Sequence, residues 1–231
     1  MTDSSLPFLS LTKGRMHEAY GAGAPVFACA LVQLCRGHVI WVREGWRLEQ
    51  INPVGMAAFL DPATLILCQT KDQLEALAVA EDALRSGAAA VVVIELSKPV
   101  GLTEGRRLQL AAREGNATGL ALIGAEAMGS NAAETRWQCL PVFEPDAGTT
   151  PGRQDSTLQQ WDLKKNKSGT LGSWHVRWDA ASRRICVVPP AGDRPGAAPA
   201  PGDRAVCADA STTKHQPDLL PERGGRAAES G

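Results

Sequence analysis

Residues 88 to 96 read AAAVVVIEL, an apolar and largely β-branched run in which no polar residue precedes Glu95. A strand of that kind has two faces to bury, because turning either one to water would expose valine or isoleucine. It needs a cover on both sides, which is the situation of an inner strand in a parallel sheet flanked by helices. The residues before it supply one cover. Asp72 and Glu75 have capping-box spacing, Leu74, Leu77, Ala80 and Leu84 recur at intervals of three and four, and Gly87 ends the helix.

The same alternation runs along the chain. HVIWV (38–42) and LILCQ (65–69) are strand-like, and between them Asn52-Pro53 starts a short helix through Leu60 that Asp61-Pro62 stops. Thr103 is expected to cap a helix ending at Gly115, and TGLALIG (118–124) is the next strand. Strands separated by helices require crossover connections and a parallel sheet. After about residue 134, WQCLPVF, LQQWDLKKNK, SWHVRWD and RRICVV follow without helices, which predicts antiparallel strands extending that sheet. Trp174, Val176 and Trp178 alternate with His175, Arg177 and Asp179, giving one apolar face.

Composition sets the domain limits. With 231 residues, 44% of them hydrophobic, the chain can bury one sizeable core and carry an appendage. From Pro189 onward, Pro, Gly and Ala make up 22 of 43 residues, too little apolar side chain to offset the entropy of ordering. The expected organisation is a short segment at 1–14, an α/β core at 15–188 and a disordered tail at 189–231. A net charge of −1 argues against a generally basic nucleic-acid binder. The six cysteines form no C-x-x-C pair and read as reduced core residues, and the four scattered histidines offer no metal nucleus. No metal or cofactor is expected. Nothing resembles a signal peptide or a membrane span, so the expected location is cytoplasmic.

The first strand, turn and helix, G14-R-M-H-E-A-Y-G21 into AGAPVFACALVQL, stand where a phosphate-binding loop would carry G-x-x-x-x-G-K-[ST]. Counted from Gly21, the second glycine is Val26, the lysine is Phe27 and the hydroxyl residue is Ala28. Close backbone approach, the phosphate-neutralising cation and the magnesium ligand are each lost. Taken alone, the segment reads more readily as a strand-turn-helix that never held a phosphate, since a single glycine anchors nothing.

Its surroundings favour the first account. RMHEAYG, HVIWVRE, LILCQ, EALAVAEDALRSGAAAVVVIE, GLALIG and LKKNKSG occur in the order of, and resemble, segments of the bacterial recombinase RecA across about 15–178. On that resemblance Glu95 stands where the magnesium-linked aspartate of the Walker B strand would be. The catalytic glutamate would fall at Glu44 or Gly45, where Glu44 reads otherwise as a solvated strand end. The resemblance also implies a truncated oligomerisation helix, a shortened DNA-binding loop (AEAMGSNAAET) and a lost nucleotide-sensing residue at Gly124 or Ala125. A shortened RecA-like chain with this degraded loop, a Pro/Ala tail and the segment Trp41, Val42, Arg43, Trp46, Arg47, Ile51, Asn52, Pro53, Gly55 resembles the ImuA family. That resemblance implies a RecA-like core, no catalysis, and an accessory role in SOS-induced error-prone translesion synthesis. Its implied partners are an ImuB-type relative of the Y-family polymerases, an error-prone C-family polymerase and the RecA recombinase itself.

Three further features carry two readings each. Lys164, Lys165 and Lys167 lie among Trp161, Trp174 and Trp178, a pattern that suits weak DNA contact or an ordinary hairpin rim with its tryptophans in the core. Trp46 and Arg47 follow a strand's carboxyl end and suit a partner or DNA contact, or packing on the next helix. Gln216, Asp218, Leu219 and Leu220 resemble a sliding-clamp-binding peptide, or match it by chance. An accessory adaptor is the favoured function. The alternatives are a division regulator resembling SulA and a divergent RecA-like recombination ATPase.

Overall fold

A computed structural model describes residues 9, 11–35, 37–124, 132–143, 157–179 and 182–188, together with the backbone of 206–207. Strands are β1 (Met16–Tyr20), β2 (Val39–Glu44), β3 (Leu65–Thr70), β4 (Val91–Glu95), β5 (Thr118–Ile123), β6 (Thr135–Pro141), β7 (Gln159–Asn166), β8 (Gly172–Asp179), β9 (Arg184–Val188) and β10 (Val206–Cys207). Helices are α1 (Ala24–Cys35), α2 (Pro53–Met56), α3 (Gln73–Ser86) and α4 (Leu102–Glu114). The strands form one sheet in the order β10-β9-β8-β7-β6-β1-β5-β4-β2-β3. From β3 to β6 the pairing is parallel, and from β6 to β10 it is antiparallel. The helices α1 to α4 lie in the connections from β1 to β5, the crossovers that parallel neighbours require.

Helices cover the sheet on both faces. Ala19, Trp41, Val93, Leu120, Trp137, Trp161 and Trp178 meet α1 and the segment around Met56 and Leu60. Val42, Val92, Ile94 and Ala121 on the opposite face meet Ala76, Ala80, Leu84, Leu108 and Ala111 of α3 and α4. Val91 through Ile94 are fully buried, as the two-sided apolar run requires.

α3 begins and ends on the expected signals. Asp72 accepts the Glu75 amide at 2.9 Å, and Gly87 closes the helix at φ +64°, a left-handed conformation that glycine adopts without strain. Several local expectations need correction. Leu74 is 79% exposed, and Ala76 takes the buried position in its place. α4 starts at Leu102, with Gly101 at its N-cap position and no side-chain cap, so Thr103 lies inside its first turn. Asn52 does cap α2, but that helix ends at Met56 rather than Leu60. Glu44 is buried, not solvated. Cys29, Cys35, Cys68 and Cys139 are free thiols, whereas Cys186 is disulfide-bonded. Within the tail, Val206–Cys207 pair with β9, and its other residues lie outside the described ones.

Candidate functional site

β1 sits between β5 and β6, so the crossover from β1 through α1 to β2 leaves a crevice at the carboxyl ends of β1, β2, β4 and β5. A cleft of about 590 Å³ opens there, lined by residues that include Gly21, Pro25, Arg43, Met56, Glu95 and Gly124. Most of its wall is apolar, from Cys29, Ile51, Met56, Phe59 and Leu122, and three of its polar side chains, Trp41, Arg43 and Arg47, converge on one carboxylate.

That carboxylate is Glu95, at the end of β4. Trp41 Nε1 donates to its Oε1 at 2.7 Å, and the Arg43 and Arg47 guanidiniums stand 3.5 and 3.7 Å from its Oε2. β2 explains how: Trp41 and Arg43 are two apart on a strand, share one face, and reach across to the neighbouring β4. Arg43 is only 3% exposed, so its charge depends on this carboxylate. Arg47 has a buried Nε with no acceptor, and its guanidinium lies 5.8 Å from the ring centroid of Trp46. Trp46 is 61% exposed. Glu44 alternates to the other face of β2, away from Glu95, and carries a buried Oε2 without a partner.

The phosphate-loop region has a different local geometry from the one its spacing suggests. α1 begins at Ala24, so Val26, Phe27 and Ala28 are already helical and only the short turn at 21–23 precedes the helix. Phe27 is buried, edge-on to Trp161 at 4.9 Å and tilted against Trp137 at 5.3 Å. Ala28 is buried as well, and Val26 is half-buried near Trp161 and Trp178. Gly21 turns the chain at φ +97°, a conformation open to glycine, and a side chain there would collide with the Cys139 carbonyl. The Gly23 amide donates to that same carbonyl at 2.9 Å, so it is not available to a phosphate. Burial pushes the Cys29 thiol up to about 12, which keeps it protonated and a poor nucleophile.

The basic hairpin lies elsewhere. Lys164 pairs with Asp162 at 2.9 Å, and Lys167 Nζ donates to the Ala132 carbonyl at 2.6 Å. Desolvation lowers the Lys165 pKa. Trp161 and Trp178 are buried, and Trp174 stacks on Trp137 at 5.8 Å, so the three rings serve the core. Residues 125–131, in the shortened loop, and 216–220, in the clamp-like peptide, lie outside the described residues. Among the described residues, no cluster of His, Cys, Asp or Glu could hold a metal, and no helix is long and apolar enough to cross a membrane.

The structure thus joins Gly21, Arg47 and Glu95 in one cleft and leaves Val26, Phe27, Ala28 and the lysines outside it. The roles of Trp41 and Arg43 were missed from sequence. The available signal was an arginine following the apolar run VIWV, whose charge, once buried, needs a carboxylate on a neighbour.

No family model matches the chain. Protein ImuA of Caulobacter vibrioides, from strain NA1000 / CB15N and from strain ATCC 19089 / CIP 103742 / CB 15, is in each case 30% identical over 198 residues, covering 74% of this chain and 78% of the relative. Among solved structures, SulA from Pseudomonas aeruginosa aligns at 23% identity with a TM-score of 0.39, over 48% of this chain and 98% of SulA.

Proposed function

The chain belongs to the ImuA family, and from that premise we propose that it is a non-catalytic accessory protein of the ImuA–ImuB mutagenesis system in the response to DNA damage. In this reading its sheet is a RecA-type core. It binds an ImuB-type relative of the Y-family polymerases, and so supports an error-prone C-family polymerase. Contact with the recombinase and a clamp contact through residues 216–220 are secondary parts of the same reading.

The observation that carries the non-catalytic part is the state of Glu95. A magnesium–nucleotide site needs a carboxylate free to meet the metal, a cation for the phosphates and a loop of unengaged amides. Here Trp41, Arg43 and Arg47 converge on the carboxylate, and Phe27 and Ala28 occupy the core. Incoming magnesium would have to separate Glu95 from a buried guanidinium, leaving that charge unpaired.

The test uses the full chain. Calorimetric titration with MgATP is expected to give no saturable heat, and the chain is expected to co-elute with the Y-family-like protein equally with and without nucleotide. Saturable MgATP binding, or a complex that forms only with nucleotide, would overturn the reading.

A further inference from the structure

We propose that the cleft around Glu95 is a docking site for a short segment of a partner protein, one that carries an aspartate or glutamate within two positions of a large apolar side chain. The proposal rests on the adaptor reading for the kind of partner. The site itself rests on geometry.

The cleft is a preformed feature. Its wall between Gln50 and Phe59 is tied back to the antiparallel half of the sheet, with Phe59 tilted against Trp178 at 4.7 Å and Arg183 donating to the Ala57 carbonyl. A volume of about 590 Å³ accommodates a large side chain and its backbone, and the apolar lining makes burial of such a side chain favourable.

Charge selects what accompanies it. Two guanidiniums share the single carboxylate of Glu95, and Arg47 Nε is a buried donor without an acceptor. One incoming carboxylate would meet the accessible part of the Arg47 guanidinium, which is 24% exposed and shares Glu95 with Arg43. A phosphate chain fits less well. Glu49 also lines the cleft, so several added negative charges would meet two carboxylates, and the Gly23 amide is engaged by Cys139. The segment that walls the cleft also exposes Trp46, Leu48 and Val54, at 61%, 93% and 82%, apolar surface of the kind that extends a peptide contact beyond its anchor.

Two glycines provide plugs that leave the core alone. Among the described residues, a side chain at Gly124 would meet nothing within 4 Å, and one at Gly55 would make ordinary contact with Asn52 at 3.9 Å. Both residues line the cleft. Random dodecapeptides displayed on phage are selected on the full-length wild-type chain and counter-selected on Gly124→Trp and Gly55→Trp, either of which suffices if the other loses its cooperative melt. The expected result is enrichment of peptides pairing Asp or Glu with a large apolar residue. Binding of a synthetic consensus peptide should weaken about tenfold or more in Arg47→Met, as for loss of a charged hydrogen bond, and recover in part in Arg47→Lys.

No enrichment, consensus peptides without an acid, or equal binding to the folded plug variants would overturn the proposal. So would displacement of the peptide by MgATP or by a single-stranded oligonucleotide, since either would assign the cleft to phosphates. The consensus peptide is finally tested as a competitor of the Y-family-like protein. If the peptide occupies the cleft but that protein binds undiminished, or never binds, the adaptor reading loses this partner while the docking site stands.

Discussion

Replacing Glu95 separates an internal structural lock from a vacant catalytic position, because the two predict opposite signs. In a lock, removal of the carboxylate strands Arg43, which is 3% exposed, and takes the acceptor from Trp41 Nε1 at 2.7 Å. Breaking a buried pair by deleting one partner costs about 3–5 kcal/mol, and a hydrogen bond to a charged acceptor contributes about 1.5–3 kcal/mol. These losses share one carboxylate and do not add in full, so Glu95→Ala should lose about 4 kcal/mol. Glu95→Gln keeps an oxygen for Trp41 and deletes only the charge, for a loss of about 2 kcal/mol. Arg47→Ala, at a pair 3.7 Å apart and partly solvated, should lose under about 1 kcal/mol. Urea unfolding at pH 7, followed by tryptophan fluorescence and by circular dichroism, measures all three at constant slope. The double change Arg43→Met with Glu95→Leu should restore most of the loss, since apolar replacement of a whole buried pair is tolerated. A carboxylate held for an absent metal behaves otherwise, because functional groups are kept at a cost in stability. A neutral or stabilising Glu95→Ala would therefore refute the argument.

Placing a lysine where a phosphate loop would carry one, Phe27→Lys, should destabilise the chain by about 3–5 kcal/mol, on the scale of losing a buried aromatic, and give no MgATP affinity; thermal melts and a nucleotide titration check both. Gly21→Ala forces a side chain onto a left-handed residue against the Cys139 carbonyl and should cost more than about 1 kcal/mol, read as a lowered Tm with an unchanged fold by circular dichroism. His17 is buried between Thr135 Oγ1 at 2.8 Å and the Thr12 carbonyl at 3.1 Å, and burial lowers its pKa from 6.5 to about 4. Its folded pKa lies below the unfolded one, so its contribution is intact above pH 6.5 and falls as the pH drops towards 4. The loss by pH 4 is about 3 kcal/mol, measured as the difference in acid sensitivity between the wild type and His17→Gln.

What the sequence disclosed followed from periodicity. The two-sided apolar run at 88–96 forced an inner strand, Asp72 and Gly87 bounded α3, and the helix-free stretch after residue 134 became antiparallel. Leu74 was misplaced because a leucine in the first turn of a helix satisfies the spacing whether or not the sheet reaches it, and Ala76 was small enough to approach the sheet instead. Glu44 was misread because charge suggests solvent, while strand alternation placed it against the α3 side. The site was half legible. Glu95 and Arg47 could be named from position, but their meeting depends on β2 lying beside β4, a non-sequential pairing that no local pattern reports. The same holds for Phe27: that it is not the lysine of a phosphate loop was readable, but its place between Trp137 and Trp161 needed β6 and β7.

A nucleotide switch works because some element changes partners when the phosphate leaves, and a ligand shifts an equilibrium only by its differential affinity for two states. In this chain the elements that would change partners are already committed. Glu95 is held by Trp41, Arg43 and Arg47, and the Gly23 amide by Cys139. A nucleotide would have to break these contacts before it could favour another arrangement, so on the proposed adaptor reading the coupling between nucleotide and partner is expected to be close to zero. Occupancy of a complex built on this protein then follows mass action alone. Near the dissociation constant, raising the chain's concentration raises occupancy almost in proportion, whereas adding MgATP leaves it where it was. Control would then rest on how much of the protein the cell makes.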